Sequence, residues 1–310
     1  MLNYVDTIFS TMMYFLRRPI NMKTAIIVDS TATLPEDLSS LENVFQIKLS
    51  VIFPDGEVRE DSSDPQVISD YYNELENMTV LPTTSQPTNG QIYDLYEEII
   101  KAGYDEVYGI VIASQLSGTL SSLEAVSREF TDQVTTHIID AKSTSAVSQH
   151  LVGECLRLLT AGHTAETVVP ALEQVANESE TYILVGSLDN LVKGGRLSAA
   201  GAFFGNLLKI TPLIKIDQTG ALEVIDKIRT DRKMKEKFKG IYETAHAKYG
   251  DRLHVSVAHS NASERALELA ANMSDDMDMS QVTVSALTPV VGTHLGNGSI
   301  GIFLLVDAEL

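Results

Sequence analysis

"EVYGIVIASQLSGTLSSLEAVSREF", residues 106–130, changes its periodicity partway along. The run 106–113 is apolar and rich in β-branched residues, which predicts a strand. From about 118 to 130 the apolar residues recur at helical spacing. The polar turn "SQLSGT" (114–119) joins the two. Outward from this unit, the same alternation recurs. "TAIIVDS" (24–30) and "FQIKLSVIF" (45–53) read as strands, with a helix after Asp64-Pro65 and another across 90–102, closed by Gly103. On the other side come a strand "THIIDA" (136–141) and a long helix across 144–161, closed by Gly162. Strands alternating with helices imply a mostly parallel sheet with helices on both faces, a Rossmann-like α/β/α sandwich. Ligands of such sheets sit at the carboxyl ends of the strands. Three polar clusters fall there: "DST" (29–31), "SQLSGT" and "DAKSTS" (140–145).

The second half has a different character. "TYILVGS" (181–187) leads through a short helix and "KGGRLS" (193–198) to a small-residue helix over 199–210. "TPLIKI" and "LEVIDKI" flank the turn "DQTG" (217–220) as a hairpin. A charged helix (231–249), a strand (253–260), a helix (262–273) and strands over 281–288 and 300–306 follow. This order predicts a mixed-sheet α/β two-layer domain. The polar stretch "ANESET" places a boundary near 178, giving domains at 22–178 and 179–310 with a ligand between them. Residues 1–21 precede Met22 and the strand pattern, and read as an extension outside the fold.

Composition narrows the function classes. The chain has 310 residues, 44% of them apolar, enough for a sizeable core and more naturally two domains than one. A formal net charge of −19 argues against nucleic acid or an anionic membrane as partner, because both require a positive field. No run approaches the roughly 20 apolar residues of a membrane span. Arg17 and Arg18 follow the apolar part of the N-terminal segment, the wrong order for a secretory signal. Cys155 is the only cysteine, so no intrachain disulfide forms, and a buried structural thiol in a reducing cytoplasm is the expectation.

"GNGSIG" (296–301) matches the G-x-G-x-x-G pattern literally, but not its context. A dinucleotide fingerprint follows a strand, opens a helix and is answered about 20 residues later by an acidic residue. Here a strand pattern follows and the chain stops at Leu310, so the glycines read as a positive-φ turn between two strands. The chain has no phosphate loop, nucleophile elbow or zinc helix, and no cofactor is implied. His254 and His259, five apart on a strand, face opposite ways. What the chain has instead is hydroxyl-rich turns: "LPTTSQPT" (81–88), "SQLSGT", "STS" (143–145) and "TPVVGTHLGNGS" (288–299). Hydroxyls and unpaired backbone N–H groups at loops that open helices form anion cradles without lysine, and equally serve as ordinary caps.

Six stretches together resemble the DegV family of bacterial fatty-acid-binding proteins. They are "VDST" (28–31), "LPTTSQPT", "IASQLSGT" (112–119), "LDNLVKGGRLS" (188–198), "LLKITPLI" (207–214) and "PVVGTHLGNGSIG" (289–301), in that order over residues 23–306. The resemblance implies a two-domain α/β protein enclosing one long-chain fatty acid. It also implies that a separate ATP-binding kinase subunit phosphorylates the acyl chain, giving an acyl phosphate for phospholipid synthesis. Carried over residue by residue, Thr84 and Ser114 or Ser117 hold the head group, Gly118 and Thr119 offer backbone donors, and His294 completes the cradle. Arg196 assists the kinase subunit or the phosphate in transfer. Where the family usually reads Gly-Pro-Gly-Ala after the histidine, this chain has Gly296-Asn297-Gly298-Ser299. Phe203, Phe204, Leu207, Leu208 and Ile210 are tail-tunnel candidates that core packing would explain equally well. A related alternative is a dihydroxyacetone-kinase-like subunit that binds a small ketone or sugar, with a histidine holding the ketone covalently. A self-contained hydrolase lacks the needed motif.

Overall fold

The computed structural model describes residues 23–197, 211–273, 279 and 282–310. The expected extension and the tail-tunnel candidates lie outside them. The strand and helix of the 106–130 unit are β6 and α4, and the rest of the chain is placed around them. In chain order the strands are β1 (Thr24–Asp29), β2 (Val44–Ile47), β3 (Ser50–Ile52), β4 (Val58–Glu60), β5 (Thr83–Ser85), β6 (Glu106–Val111), β7 (Thr135–Asp140), β8 (Glu180–Leu184), β9 (Thr211–Ile216), β10 (Leu222–Ile228), β11 (Leu253–His259), β12 (Thr283–Ala286) and β13 (Ile300–Val306). The helices are α1 (Glu36–Ser39), α2 (Pro65–Glu76), α3 (Asn89–Lys101), α4 (Thr119–Ser127), α5 (Ala146–Thr160), α6 (Ala165–Glu178), α7 (Leu188–Lys193), α8 (Asp231–Tyr249), α9 (Ser263–Ala271) and α10 (Pro289–Leu295).

The first sheet, ordered β2-β1-β6-β7, is parallel throughout. Alternation along β1 sends Ala25 and Ile27 to one face, against Ile92, Tyr96 and Leu123 of α3 and α4. Ile26 and Val28 go to the other, against Leu151, Cys155 and Leu172 of α5 and α6. Each fully buried side chain of this size contributes roughly 1.5–3 kcal/mol. The large sheet of the second half is mixed, ordered β10-β9-β8-β13-β11-β12, with only β11 and β12 parallel. Its inner face, with Ile183, Ile216 and Phe303, joins the core that contains α5 and α6. Its outer face is covered by Met234, Phe238 and Leu269 of α8 and α9. The α/β class is therefore as the alternation predicts.

Four local features depart from the sequence reading. The single strand expected at 45–53 is split, because the Leu49 amide donates to Ser30 Oγ and turns the chain from the parallel sheet into a small antiparallel one, β4-β3-β5. Thr83–Ser85, read as loop, is the edge strand of that sheet; three hydroxyl residues carry no alternation to detect. Helix α6 has Pro170 inside it, which masks the pattern, yet the ring lies on the exposed side. The glycine turn joins helix α10 to β13 instead of joining two strands, though Gly296 and Gly298 do adopt φ of 76° and 79°. Cys155 is buried and its surroundings push the thiol's pKa up, which makes it inert. None of the described helices is long and apolar enough to cross a membrane.

Candidate functional site

In the parallel sheet, β1 is flanked by β2 on one side and β6 on the other. The crevice beyond the carboxyl ends of β1 and β6 is the place where the strand order reverses. The buried Asp29 at the end of β1 closes the back of that crevice. Its carboxylate accepts from the amide and hydroxyl of Thr31 and, at 2.5 Å, from the amide of Ile112 after β6. Burial raises its pKa and those hydrogen bonds oppose the shift.

A cavity of about 270 Å³ opens in front, close to the lower end of the roughly 300–1,000 Å³ of small-molecule sites. One part of its lining is polar: Thr84, Gln86, Ser117, Gly118, Arg196 and His294. The remainder is largely aliphatic, from Leu49 in the link between β2 and β3, Leu191 of α7, Ile183, Ile216 and Leu222 of the mixed sheet, and Val291 of α10. The lining residues thus come from both halves of the chain.

His294 sits in the last turn of α10, a helix that Pro289 opens at its first position and Gly296 closes. Its Nε2 shares a 2.7 Å hydrogen bond with Thr84 Oγ1. Its Nδ1 is buried without a partner, against Gly194. Burial, then the neighbouring Arg196, pushes the imidazole down to about 4, so the ring is neutral at pH 7. The ring's hydrogen-bonding partner within the protein is thus a threonine hydroxyl. Three further contacts fix the helix. Asp61 accepts from the Val290 amide at 3.0 Å and from Ser30 Oγ at 2.9 Å. Tyr71 shares a hydrogen bond with Thr293, and Asn190 donates to the Thr293 carbonyl. Burial pushes Asp61 up to about 6.

Arg196 donates from Nε to the Leu116 carbonyl and from a terminal nitrogen to the Gly194 carbonyl. It makes no ion pair with any carboxylate among the described residues, and burial lowers its pKa. A half-buried cation with no counter-charge among the described residues, beside a neutral imidazole and two hydroxyls, has the chemistry to pair with one anionic group. Gly118 permits the close approach at the other side: a β-carbon there would lie 2.0 Å from Gln86 Oε1. Gln86 in turn donates to Ser122 Oγ in the first turn of α4.

Of the residues expected from sequence, Thr84, Ser117, Gly118, Arg196 and His294 line this cavity, while Ser114 and Thr119 do not. Ser114 is exposed, and its amide points to the Asp140 carboxylate at 3.3 Å. The Thr119 amide is already used by Ser117 Oγ, so it offers no free donor. Sequence reasoning missed Gln86, Gly194 and Asp61. Gln86 stands two residues after Thr84 in the same turn and was open to notice; Asp61 lies in an unremarkable acidic stretch. The departure at 297–299 is tied down: Ser299 Oγ donates to the Leu295 carbonyl and accepts from the Gly186 amide, and Asn297 donates to the Tyr72 carbonyl. Among the described residues no group of His, Cys, Asp and Glu is placed to hold a metal ion.

This is a doubly wound α/β protein joined to a mixed-sheet layer, with a cavity at the switch point that sets a cation and hydroxyls above aliphatic walls. The family model described as "uncharacterised protein, DegV family" matches residues 23–307, and the chain belongs to that family. A DegV domain-containing protein of Streptococcus pyogenes serotype M6 is 32% identical over 282 residues, 90% of this chain and 97% of that one. Protein DegV of Bacillus subtilis is 32% identical over 287 residues, 91% and 98% of the two chains. The solved fatty acid binding DegV family protein of Streptococcus agalactiae superposes with a TM-score of 0.84 at 29% identity, covering 92% of this chain and 99% of that one. The B. subtilis structure, described as DegV, a fatty acid binding protein, superposes at 0.78 and 30% identity, covering 93% and 100%.

Proposed function

We propose that this chain binds a long-chain fatty acid, holding its carboxylate among Thr84, Ser117, the Gly118 backbone, His294 and Arg196. The uncompensated Arg196 beside the Thr84–His294 pair, set over aliphatic walls, is the observation that carries the reading. The fatty acid binding recorded for the S. agalactiae and B. subtilis relatives supports it. Roughly fifteen methylenes at about 0.8 kcal/mol each give about 12 kcal/mol before ordering costs, so the tail sets affinity. Hydrogen bonds to the charged head, at about 1.5–3 kcal/mol each, set orientation. An arriving carboxylate restores the counter-charge that Arg196 lacks and raises the His294 pKa toward its ordinary value.

The finer reading follows the family resemblance. The chain acts as the lipid-carrying subunit of a fatty acid kinase system in the cytoplasm, with domains at 22–178 and 179–310 and the ligand between them. A separate subunit supplies ATP; a carboxylate oxygen attacks the γ-phosphorus, the bond from that phosphorus to the bridging oxygen breaks, ADP leaves on the ATP-binding subunit, and the acyl phosphate forms on the carrier. Arg196 neutralises the charge that gathers at the mouth during transfer. Native mass spectrometry of the purified chain tests the first step: an added mass in the fatty acid range is expected. Protein that is lipid-free and stays so on titration with hexadecanoate refutes it.

A further inference from the structure

The turn 140–145 at the carboxyl end of β7 is not used by the head-group cradle, yet it reaches the same cavity through Thr144. It is held from three sides. The Asp140 carboxylate accepts from the Lys142 amide, the Ser143 carbonyl accepts from the Ala113 amide, and Ser143 and Thr181 share a hydroxyl hydrogen bond of 2.7 Å. The tip of the β9–β10 hairpin covers it, with Gly220 so close that a β-carbon there would meet Ala113 at 2.9 Å and Lys142 at 3.5 Å. Beyond the turn begins α5, fifteen residues long, with no side chain capping its N-terminus.

Three hydroxyls gather there without a partner: Thr144 Oγ1, Ser145 Oγ and Ser148 Oγ. Their residues are 7%, 2% and 0% exposed. Buried hydroxyls are normally satisfied, and an uncapped helix N-terminus adds unpaired N–H donors and a positive potential. Only Thr144 borders the cavity. Rotation about its χ1 exchanges methyl and hydroxyl with almost no change of volume, so the hydroxyl can be turned to a ligand at little steric cost. A purely hydrocarbon tail leaves all three unpaired. A tail that bears an oxygen at the right depth pairs with Thr144.

We infer that Thr144 and the N-terminus of α5 form a second oxygen-binding point in the cavity, separate from the carboxylate cradle, which selects acyl chains carrying a hydroxyl or keto group on the tail. The inference rests on the fatty acid reading above and names the substrate class within it.

Isothermal titration of the full chain with octadecanoate and a set of positional hydroxyoctadecanoates tests it, alongside the isosteric variant Thr144→Val. The expected result is that one isomer binds about tenfold or more tighter than octadecanoate, and that Thr144→Val removes this preference while octadecanoate binds as before. The inference is overturned if octadecanoate binds and every hydroxy isomer is weaker, or if the preference survives in Thr144→Val. Absence of binding by any acyl ligand would instead overturn the fatty acid reading itself, and this inference with it.

Discussion

Gly194→Ala separates the placement of His294 from the stability of the fold. Gly194 has φ −73° and ψ −8°, ordinary for any L-residue, and the backbone cost is confined to a β-carbon contact of 2.9 Å with the Asn190 carbonyl. Near a helix end alanine is if anything preferred, by up to about 1 kcal/mol. The added methyl, however, lies 2.4 Å from His294 Nδ1 and 3.0 Å from Cε1. Ordinary contact begins at 3.4 Å, so the ring must retreat by about 1 Å. That displacement spoils the 2.7 Å geometry with Thr84, by compression or by misalignment, and with it the ring's place in the proposed head-group cradle. Loss of one such bond to a carboxylate, at about 1.5–3 kcal/mol, weakens binding roughly 10- to 100-fold. Titration calorimetry with hexadecanoate reads the affinity, and thermal unfolding reads the fold. Gly195→Ala is the control: nothing lies within 4 Å of its β-carbon, but φ is 72°, so its cost falls on stability and not on binding. Wild-type affinity in Gly194→Ala refutes the role given to His294. So does a loss that appears equally in both variants.

Other expectations concern protons, the arginine and the glycine turn. A free histidine titrates near 6.5 and His294 at about 4, so between those values the unfolded chain takes up a proton that the folded one refuses. Stability therefore falls as pH drops from 6.5 to 4, by at most about 3 kcal/mol, and a pH series of melts on His294→Asn should show a shallower decline; superimposable profiles would exclude it. Asp61 runs the opposite way: at about 6 when folded against 3.8 when free, its contribution rises as pH falls through 6. Arg196→Ala should slow phosphoryl transfer by an ATP-dependent partner more than it weakens lipid uptake, and equal loss of both would make its role structural. Gly186→Ala places a β-carbon 1.9 Å from the Asn297 carbonyl, an overpacking that costs about 1–3 kcal/mol or more, read as a lowered Tm. An unchanged Tm would mean that the 296–299 turn yields freely.

The parallel sheet was legible in the sequence because β1, β6 and β7 are short β-branched runs separated by helices with clear spacing. So was the sheet edge at which the cavity lies, since Asp29 ends β1 and Ser117 and Thr144 follow β6 and β7. Thr84, Ser117, Gly118, Arg196 and His294 could be named because each lies in a short stretch that resembles a DegV-family motif. Helix α10 was hidden: its seven residues carry a single turn's worth of pattern, and its stability comes from Asp61, Tyr71 and Asn190, which are remote in the chain.

Local periodicity and turn chemistry act over a few residues, and they settled the class of fold and the polar clusters. Which cluster faces which is a matter of contacts between residues far apart. Thr84 and His294 are 210 positions apart, and Ser114 and Ser117 only three, yet the first pair shares a hydrogen bond while the second divides between solvent and cavity. A side chain's direction, the want of a counter-charge for Arg196 among the described residues and the shift of His294 toward neutrality all depend on how the chain packs. Burial is fixed only when the sheets and the helices between them have packed.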